Sequence, residues 1–277
     1  MNQPTITVNK PIAPTFGWLN AGGTSIPLPS DMREQSLALA PGEVRTVVIS
    51  ESTPAVRLTA SLAENATLRL IQLRQGGSGM SVSDIRVSCA ENARFEWYRV
   101  VTQGGETYDN CSVSLDGDGS SFATEIGYRL AGRDKLDVNC EAIHRGRRTK
   151  SDIHASGALS EQACKLLRGT IDLQNGCTGA VGNETEDVLL MSDTVRNLSV
   201  PVILCAEEDV EGNHGATIGR LDEDLLYYME SRGIPREAVS EIMSQARLDA
   251  VIRKIPDAAL RERILETTHQ ANAESMK

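Results

Sequence analysis

Aromatic side chains are scarce in this sequence, with Phe, Trp and Tyr together making up 4% of its 277 residues. Any core must be filled mainly by Val, Ile, Leu and Ala, which suits a narrow interior better than a broad sandwich. Basic charge is also short: 28 Lys and Arg stand against 38 Asp and Glu, a formal charge of −10. That balance opposes non-specific attraction to nucleic acid or anionic lipid, so no nucleic acid and no membrane is expected as a partner. No apolar run is long enough to cross a bilayer, and residues 1–14 lack a basic start followed by an apolar stretch. A cytoplasmic location is the expectation. The six cysteines (Cys89, Cys111, Cys140, Cys164, Cys177, Cys205) include no Cys-x-x-Cys pair, which excludes a zinc ribbon or a thioredoxin-like motif. In a reducing compartment they are expected as free thiols, most of them acting as small buried hydrophobes. No Gly-rich loop ends in Gly-Lys-Ser or Gly-Lys-Thr, so the chain has no cradle for nucleotide phosphates.

What is present is a short pattern repeated every 27 residues: Glu64-Asn65-Ala66-Thr67-Leu68-Arg69-Leu70, Glu91-Asn92-Ala93-Arg94-Phe95-Glu96-Trp97, and Asp118-Gly119-Ser120-Ser121-Phe122-Ala123-Thr124. A polar turn that tolerates unusual backbone angles, followed by large apolar residues two apart, describes one rung of a stacked β-solenoid. An evenly spaced antiparallel sandwich is the competing reading. Between the repeats lie short β-branched runs, such as Val44 to Ile49 and Ile85 to Val87, broken by Gly, Asn and Asp. The expected fold is therefore mainly β.

Three parts are expected. Residues 1–30, rich in Pro, Gly and Asn with isolated Phe16 and Trp18, read as an irregular lead-in packed against the first rung. Residues 31–219 form the solenoid core, and residues 220–277 a C-terminal helical domain. In the last part Asp222 caps a helix running through Ser231 that Gly233 stops. Pro235 opens a second helix with Val239, Ile242, Met243 and Ala246 on one face. Pro256 and Asp257 introduce a third, carrying Leu260, Ile264 and Leu265, and the residues through Lys277 are expected to fray. These helices are expected to cap the solenoid's exposed edge, to form a docking surface, or both. His144 and His154 flank Arg145, Arg147, Arg148 and Lys150, a run read as a solvated face without chemistry.

The segment Glu207-Glu208-Asp209-Val210-Glu211-Gly212-Asn213-His214-Gly215-Ala216-Thr217-Ile218-Gly219, followed by Asp222 to Met229 and Ser231-Arg232-Gly233-Ile234, resembles the C-terminal signature of the SufB/SufD family. Members of that family are scaffold proteins of the SUF iron-sulfur cluster assembly machinery. Arg168-Gly169, Leu189 to Asp193 and Pro201 agree in order and spacing, and the match is specific over about residues 143 to 245. The resemblance implies a right-handed parallel β-helix followed by a helical domain. It also implies pairing with a second SufB/SufD-type subunit, as heterodimer or homodimer. The C-terminal helices would bind the ABC-type ATPase subunit of the SUF system, with Tyr227, Tyr228, Arg232, Gly233 and Ile234 as partner-binding residues. ATP chemistry then belongs to the partner, and the chain itself is not expected to be an enzyme.

The resemblance further places an important histidine at His214, near the interface of the two scaffold subunits, with an iron-sulfur cluster held there transiently. A neutral imidazole is a competent iron ligand, and Glu207, Glu208 and Asp209 are close enough in sequence to orient it. His214 is the first candidate ligand, with Cys205 and Glu208 behind it. Cys205 follows Val202, Ile203 and Leu204, and strand alternation turns it more readily inward than outward. The chain departs from the family at three positions: Gly212 stands where many SufD-type chains carry cysteine, Val195 where SufB-type chains carry their interface cysteine, and Gly215 where those chains carry glutamate. Because clusters are held chiefly by thiolates, the chain reads as SufD-like, offering an imidazole or carboxylate while a partner supplies sulfur. Two other functions compete. One is a carbohydrate-active β-helix enzyme such as a polysaccharide lyase, which needs clustered Asp and a basic catalytic residue. The other is a structural interaction module without cluster function.

Overall fold

The computed structural model describes residues 5–29, 31–50, 55–75, 79–102 and 105–275, with backbone alone for 271–275. Its organising element is the turn found in the sequence repeat. Asn65, Asn92 and Gly119 hold φ angles of 58°, 54° and 68°, a left-handed conformation that Asn and Gly accept at low cost. Each donates its N–H to a carbonyl of the next turn: Asn65 to Glu91, Asn92 to Asp118 and Gly119 to Arg147, at 2.9, 2.9 and 2.8 Å. The hydrogen-bond ladder thus runs through the turns as well as the strands, and the small residue that follows (Ala66, Ala93 or Ser120) is fully buried.

The chain opens with β1 (Thr5–Val8), the one-turn helix α1 (Thr15–Trp18) and β2 (Thr24–Pro27), β1 and β2 pairing antiparallel. Fourteen strands then alternate between two sheets. They are β3 (Arg33–Leu39), β4 (Val44–Ser50), β5 (Ala55–Leu62), β6 (Thr67–Gln75), β7 (Met80–Cys89), β8 (Arg94–Thr102), β9 (Glu106–Leu115), β10 (Ser121–Leu130), β11 (Lys135–His144), β12 (Lys150–Leu159), β13 (Cys164–Leu173), β14 (Val181–Leu190), β15 (Arg196–Cys205) and β16 (Glu211–Arg220). Odd-numbered strands from β3 to β15 form one seven-stranded sheet and even-numbered strands from β4 to β16 the other. All pairings within these two sheets are parallel. This is a parallel β-solenoid. The 27-residue step holds where Thr67 pairs with Arg94 and Arg94 with Ser121. It lengthens further on: Ser121 pairs with Lys150, and Lys150 with Val181. The difference lies in the turns, which grow to the seven-residue stretch from Gln174 to Ala180.

Inward side chains stack in columns, because register places equivalent residues of successive coils over one another. Leu68, Phe95 and Phe122 form one column, with the two rings stacked at 5.5 Å. Cys111 and Cys140 are neighbours in another. Cys89, Cys111, Cys140 and Cys177 are buried, Cys164 is half-buried and Cys205 exposed, all as free thiols.

The lead-in does not sit on the first rung. It straps along the outer face of the odd sheet, with Ile6, Val8 and Ile26 against Ala55, Val82 and Tyr108, and Phe16 against Leu166, Val200 and Val202 near the far end. Polar contacts fix this path. Asn9 donates to the Asp137 carboxylate at 2.8 Å, and the Ile12 N–H donates to Glu141 at 3.0 Å.

Three helices follow the solenoid: α2 (Glu223–Ser231), α3 (Arg236–Ile252) and α4 (Ala258–Ser275). Asp222 caps α2 by accepting from the N–H groups of Asp224 and Leu225, and Gly233 takes a φ of 82° just beyond it. Asp257 accepts from the Leu260 N–H at the start of α4. The fraying expected at Met276 and Lys277 lies outside the described residues. The helices leave the solenoid's end uncovered. They fold back along its flank, where Leu248, Ile252, Ile255 and Ile264 bury against Ile71 and Val100 on the outer face of the even sheet. Gly127 admits this approach, since a Cβ there would lie 3.0 Å from the Val251 side chain. The buried face of α3 is therefore Val239, Leu248, Val251 and Ile252, while Ile242 and Ala246 are exposed. Of the expected stripe, Val239 is buried and Met243 half-buried, and the burial continues through Leu248, Val251 and Ile252 in the second half of the helix.

Candidate functional site at the uncovered end

The last coil, like the first at the opposite end of the strand order, has a neighbouring coil on one side only. Every residue of β16 is exposed, and β15 is half-buried along nearly all its length. A terminal strand in this state presents unpaired N–H and C=O groups along its whole edge. His214 lies on it, in a column that runs Leu70, Trp97, Thr124, Ile153, Glu184, His214. The imidazole thus belongs to the inward face and is reachable because the rod stops there.

Beneath it the interior is charged. Glu184, Glu186 and Lys165 are 5%, 3% and 1% exposed. Lys165 donates to the Glu186 carboxylate and, at 3.1 Å, to the Ser199 hydroxyl. Burial pushes the Lys165 ammonium down to about 7, against the attraction of Glu184, and pushes the Glu184 carboxyl up to about 7, against the attraction of Lys165. Glu184 occupies room made by Gly169, where a Cβ would lie 2.2 Å from the carboxylate. The preceding Arg168 points the other way. It donates to the carbonyls of Ala21 and Gly22 and, at 2.5 Å, to Asp137, so it anchors the lead-in strap. The Arg-Gly pair is thereby accounted for, one residue on each face of β13.

The other candidates are spread around this end. Cys205 closes β15 in a column with His144 and Leu173 and donates to the Glu207 carbonyl at 3.1 Å. Glu208 is exposed in the turn before β16. Glu207 accepts from the Gly176 and Glu208 N–H groups, which hold its carboxyl below the usual range and turn it toward the backbone of the turns. Among the described residues, no three His, Cys, Asp or Glu side chains are grouped to hold a metal ion. Gly212 stacks on Gly182 and faces Ile203, Gly215 is open to solvent, and Val195 packs beside the core. His144 is buried between the Thr149 and Ser151 hydroxyls, and burial pushes it down to about 4. Arg145, Arg147, Arg148 and Lys150 are exposed, as a solvated face requires. Glu184, Glu186 and Lys165 escaped sequence reasoning. Glu184 stands where Ile153 stands one coil earlier and Lys165 where Leu136 stands, a correspondence that only the register reveals.

The model of the SufBD core domain of SUF system FeS cluster assembly matches residues 44–247. The chain belongs to the SufB/SufD family. Among its relatives are the iron-sulfur cluster assembly protein SufD of Bacillus subtilis strain 168, 26% identical over 63% of this chain and 40% of the relative, and SufD of Escherichia coli K12, 23% identical over 76% and 50%. A chloroplast SufBD family protein of Arabidopsis thaliana is 28% identical over 66% of this chain and 33% of its own length. The chain thus spans half or less of the length of these relatives. The family match includes the even sheet, the uncovered end, α2 and most of α3. Among the described residues no helix is long and apolar enough to cross a membrane.

The partner-binding candidates lie on α2 and the turn after it. Tyr227 is 75% exposed and Tyr228 53%, with the Arg232 guanidinium 5.1 Å from the Tyr228 ring centroid. Gly233 is exposed and Ile234 half-buried. The exposed aromatics lie at the end of the solenoid from which the chain leaves β16.

Proposed function

We propose that this chain is a cytoplasmic scaffold subunit of iron-sulfur cluster assembly, acting by binding and positioning and not as an enzyme. The observation that carries the reading is β16, exposed over its full length while the helices that could have covered it lie along the flank. Strand addition to such an edge is the cheapest way to satisfy its backbone groups, so a second SufB/SufD-type subunit is its natural occupant. His214 would then lie at the junction, where it can ligate the iron of a cluster that passes through as cargo. Cys205 and Glu208 at the rim are the weaker donors. A right-handed winding of the coils accompanies this reading, as do three working parts: the lead-in 1–30, the β-helix 31–219 and the helical domain 220–277.

The ATPase reading rests on α2. Large exposed aromatics beside an arginine are a common anchor composition at protein interfaces, and Tyr227, Tyr228, Arg232, Gly233 and Ile234 provide one. An ABC-type ATPase of the SUF system held there would transmit its closing motion through the flank helices to the solenoid. The test is capture of that ATPase and of a second scaffold subunit by the tagged full-length chain. Tyr227→Ala with Tyr228→Ala is expected to abolish ATPase capture while scaffold pairing persists. Failure of the wild-type chain to retain either protein refutes the proposal.

A further inference from the structure

The outer face of the odd sheet changes character at the last coil. Register stacks Asp84, Asn110, Asn139, Arg168 and Val200 in one outward column, and Arg86, Ser112, Glu141, Thr170 and Val202 in the next. Polar side chains hold both columns until β15, whose outward row is Leu198, Val200, Val202 and Leu204. Its inward row begins with the polar Asn197 and Ser199, so the row facing water is the more apolar one. Phe16 of α1 seats on Val200, Val202 and Leu204 and is fully buried, yet all four residues of the row stay half-exposed. Beside them Trp18 is 83% exposed and Leu19 54%. The turn that presents the indole is tied at several points. The Leu19 N–H donates to the Thr15 carbonyl at 3.2 Å, the Ala21 N–H donates to the Phe16 carbonyl at 2.8 Å, and Arg168 donates to the carbonyls of Ala21 and Gly22. An apolar row with an anchored tryptophan beside it has the composition of a covered surface.

Area and charge name the occupant. A ten-residue strand is about 33 Å long and stacked sheets lie about 10 Å apart, so the open end offers a footprint of roughly 330 Å². A stable pairing covers about 800 Å² per partner, and the outer row with Trp18 adjoins the edge that falls short of it. A two-fold axis across the open end can set β16 against its own counterpart or against β15. Like on like brings Glu211 of each chain to the Arg220 end of the other, whereas β16 on β15 brings Arg220 to the Arg196 end. Arg220 is 58% exposed even with Asp193 beside it, so its charge is within reach of a partner. We propose that the covering partner is a second copy of this chain, that the outer rows of the two β15 strands adjoin in one apolar strip, and that Trp18 and Leu19 of each copy close over that strip. The edge contact rests on the scaffold-pairing reading; the part played by the lead-in and the identity of the partner go beyond it.

The test is sedimentation equilibrium of the purified full-length chain over a concentration series. A reversible dimer is expected, and Trp18→Ala with Leu19→Ala should weaken it about thirtyfold or more. Val44→Ser, at an exposed apolar position on the opposite end of the strand order, should leave it unchanged. Glu211→Arg should weaken the dimer, and Glu211→Arg with Arg220→Glu should restore it. Trp18 and Trp97 are the only tryptophans and Trp97 is fully buried, so a blue shift of emission with rising concentration reports Trp18. Circular dichroism confirms that each variant is folded. A chain that stays monomeric, or a dimer indifferent to Trp18→Ala with Leu19→Ala, overturns the proposal, and a charge swap without rescue overturns the like-on-like arrangement. A monomer that still captures a different SufB/SufD-type subunit overturns it while the scaffold reading stands. A dimer with the expected Trp18 dependence, in a chain that captures no ATPase, upholds this face and counts against the assembly reading alone.

Discussion

Replacing Arg168 by Ala should loosen the lead-in strap before it disturbs the solenoid. The guanidinium is fully buried and joins three points far apart in sequence: the carbonyls of Ala21 and Gly22, and Asp137, whose side chain is equally buried. Removing one partner of a buried ion pair costs about 3 to 5 kcal/mol, because the other charge remains without its counterpart. Asp137 keeps the donors Asn9 at 2.8 Å and Thr24 at 2.5 Å, so the loss should fall toward the lower end, about 3 kcal/mol. Against a typical domain stability of about 5 to 15 kcal/mol, that is a large fraction. Denaturant unfolding gives the magnitude, and hydrogen exchange over residues 5–27 gives the location, where protection should be lost first. Arg168→Lys should recover only part, since a point charge cannot serve three acceptors as a fork does. A cycle with Asp137→Asn should show coupling above about 1 kcal/mol. If Arg168→Ala unfolds within about 0.5 kcal/mol of wild type, or exchange is unchanged in the strap, the anchoring role is wrong.

Three further outcomes are expected. His144 is held neutral, with its folded value about 4 against 6.5 unfolded; its contribution is therefore present above pH 6.5 and lost as pH falls toward 4. That loss amounts to about 3 kcal/mol at about 1.4 kcal/mol per unit, and melting from pH 7 to 4 should show a steeper decline in wild type than in His144→Gln. Gly157→Ala would place a Cβ 2.3 Å from the Tyr128 carbonyl oxygen and 2.4 Å from its ring; about 1 to 3 kcal/mol or more of overpacking should appear as a lowered melting temperature, whereas Gly215→Ala, in open space, should be nearly silent. Leu248→Ala removes a fully buried contact between α3 and the flank and should cost about 2 to 5 kcal/mol, with exchange rising in α3 and α4 before the strands.

The solenoid was legible because its turns have a local chemical requirement. Asn65, Asn92 and Gly119 were picked out for tolerating unusual angles, and all three adopt them. The helix boundaries at Asp222, Pro235 and Asp257 were legible for the same reason, since capping is decided by a few adjacent residues. What escaped depends on contacts between distant segments. No local signal tells that α3 lies along β8, β10 and β12 and not over the end, or that the strap runs to β13 and β15. The later coils hid because Arg148, with a φ of 51°, takes the turn conformation without being Asn or Gly, and because the step departs from 27 residues from Ser121 onward. Glu184 and Lys165 were passed over because charged residues in a strand ordinarily face water; only the register places them inside.

An uncovered edge on a rod of parallel strands invites growth by any extended peptide, and the composition of β16 restrains it. Gly212, Gly215 and Gly219 leave gaps in what would otherwise be a sticky ribbon, and Glu211 and Arg220 set opposite charges at its two extremities. Glycine weakens casual strand pairing, and charge at the margins repels mismatched arrivals. The end of this protein is thus selective by being poor in generic attraction: a visitor must bring side chains that fill the hollows and meet the charges, or it will not stay.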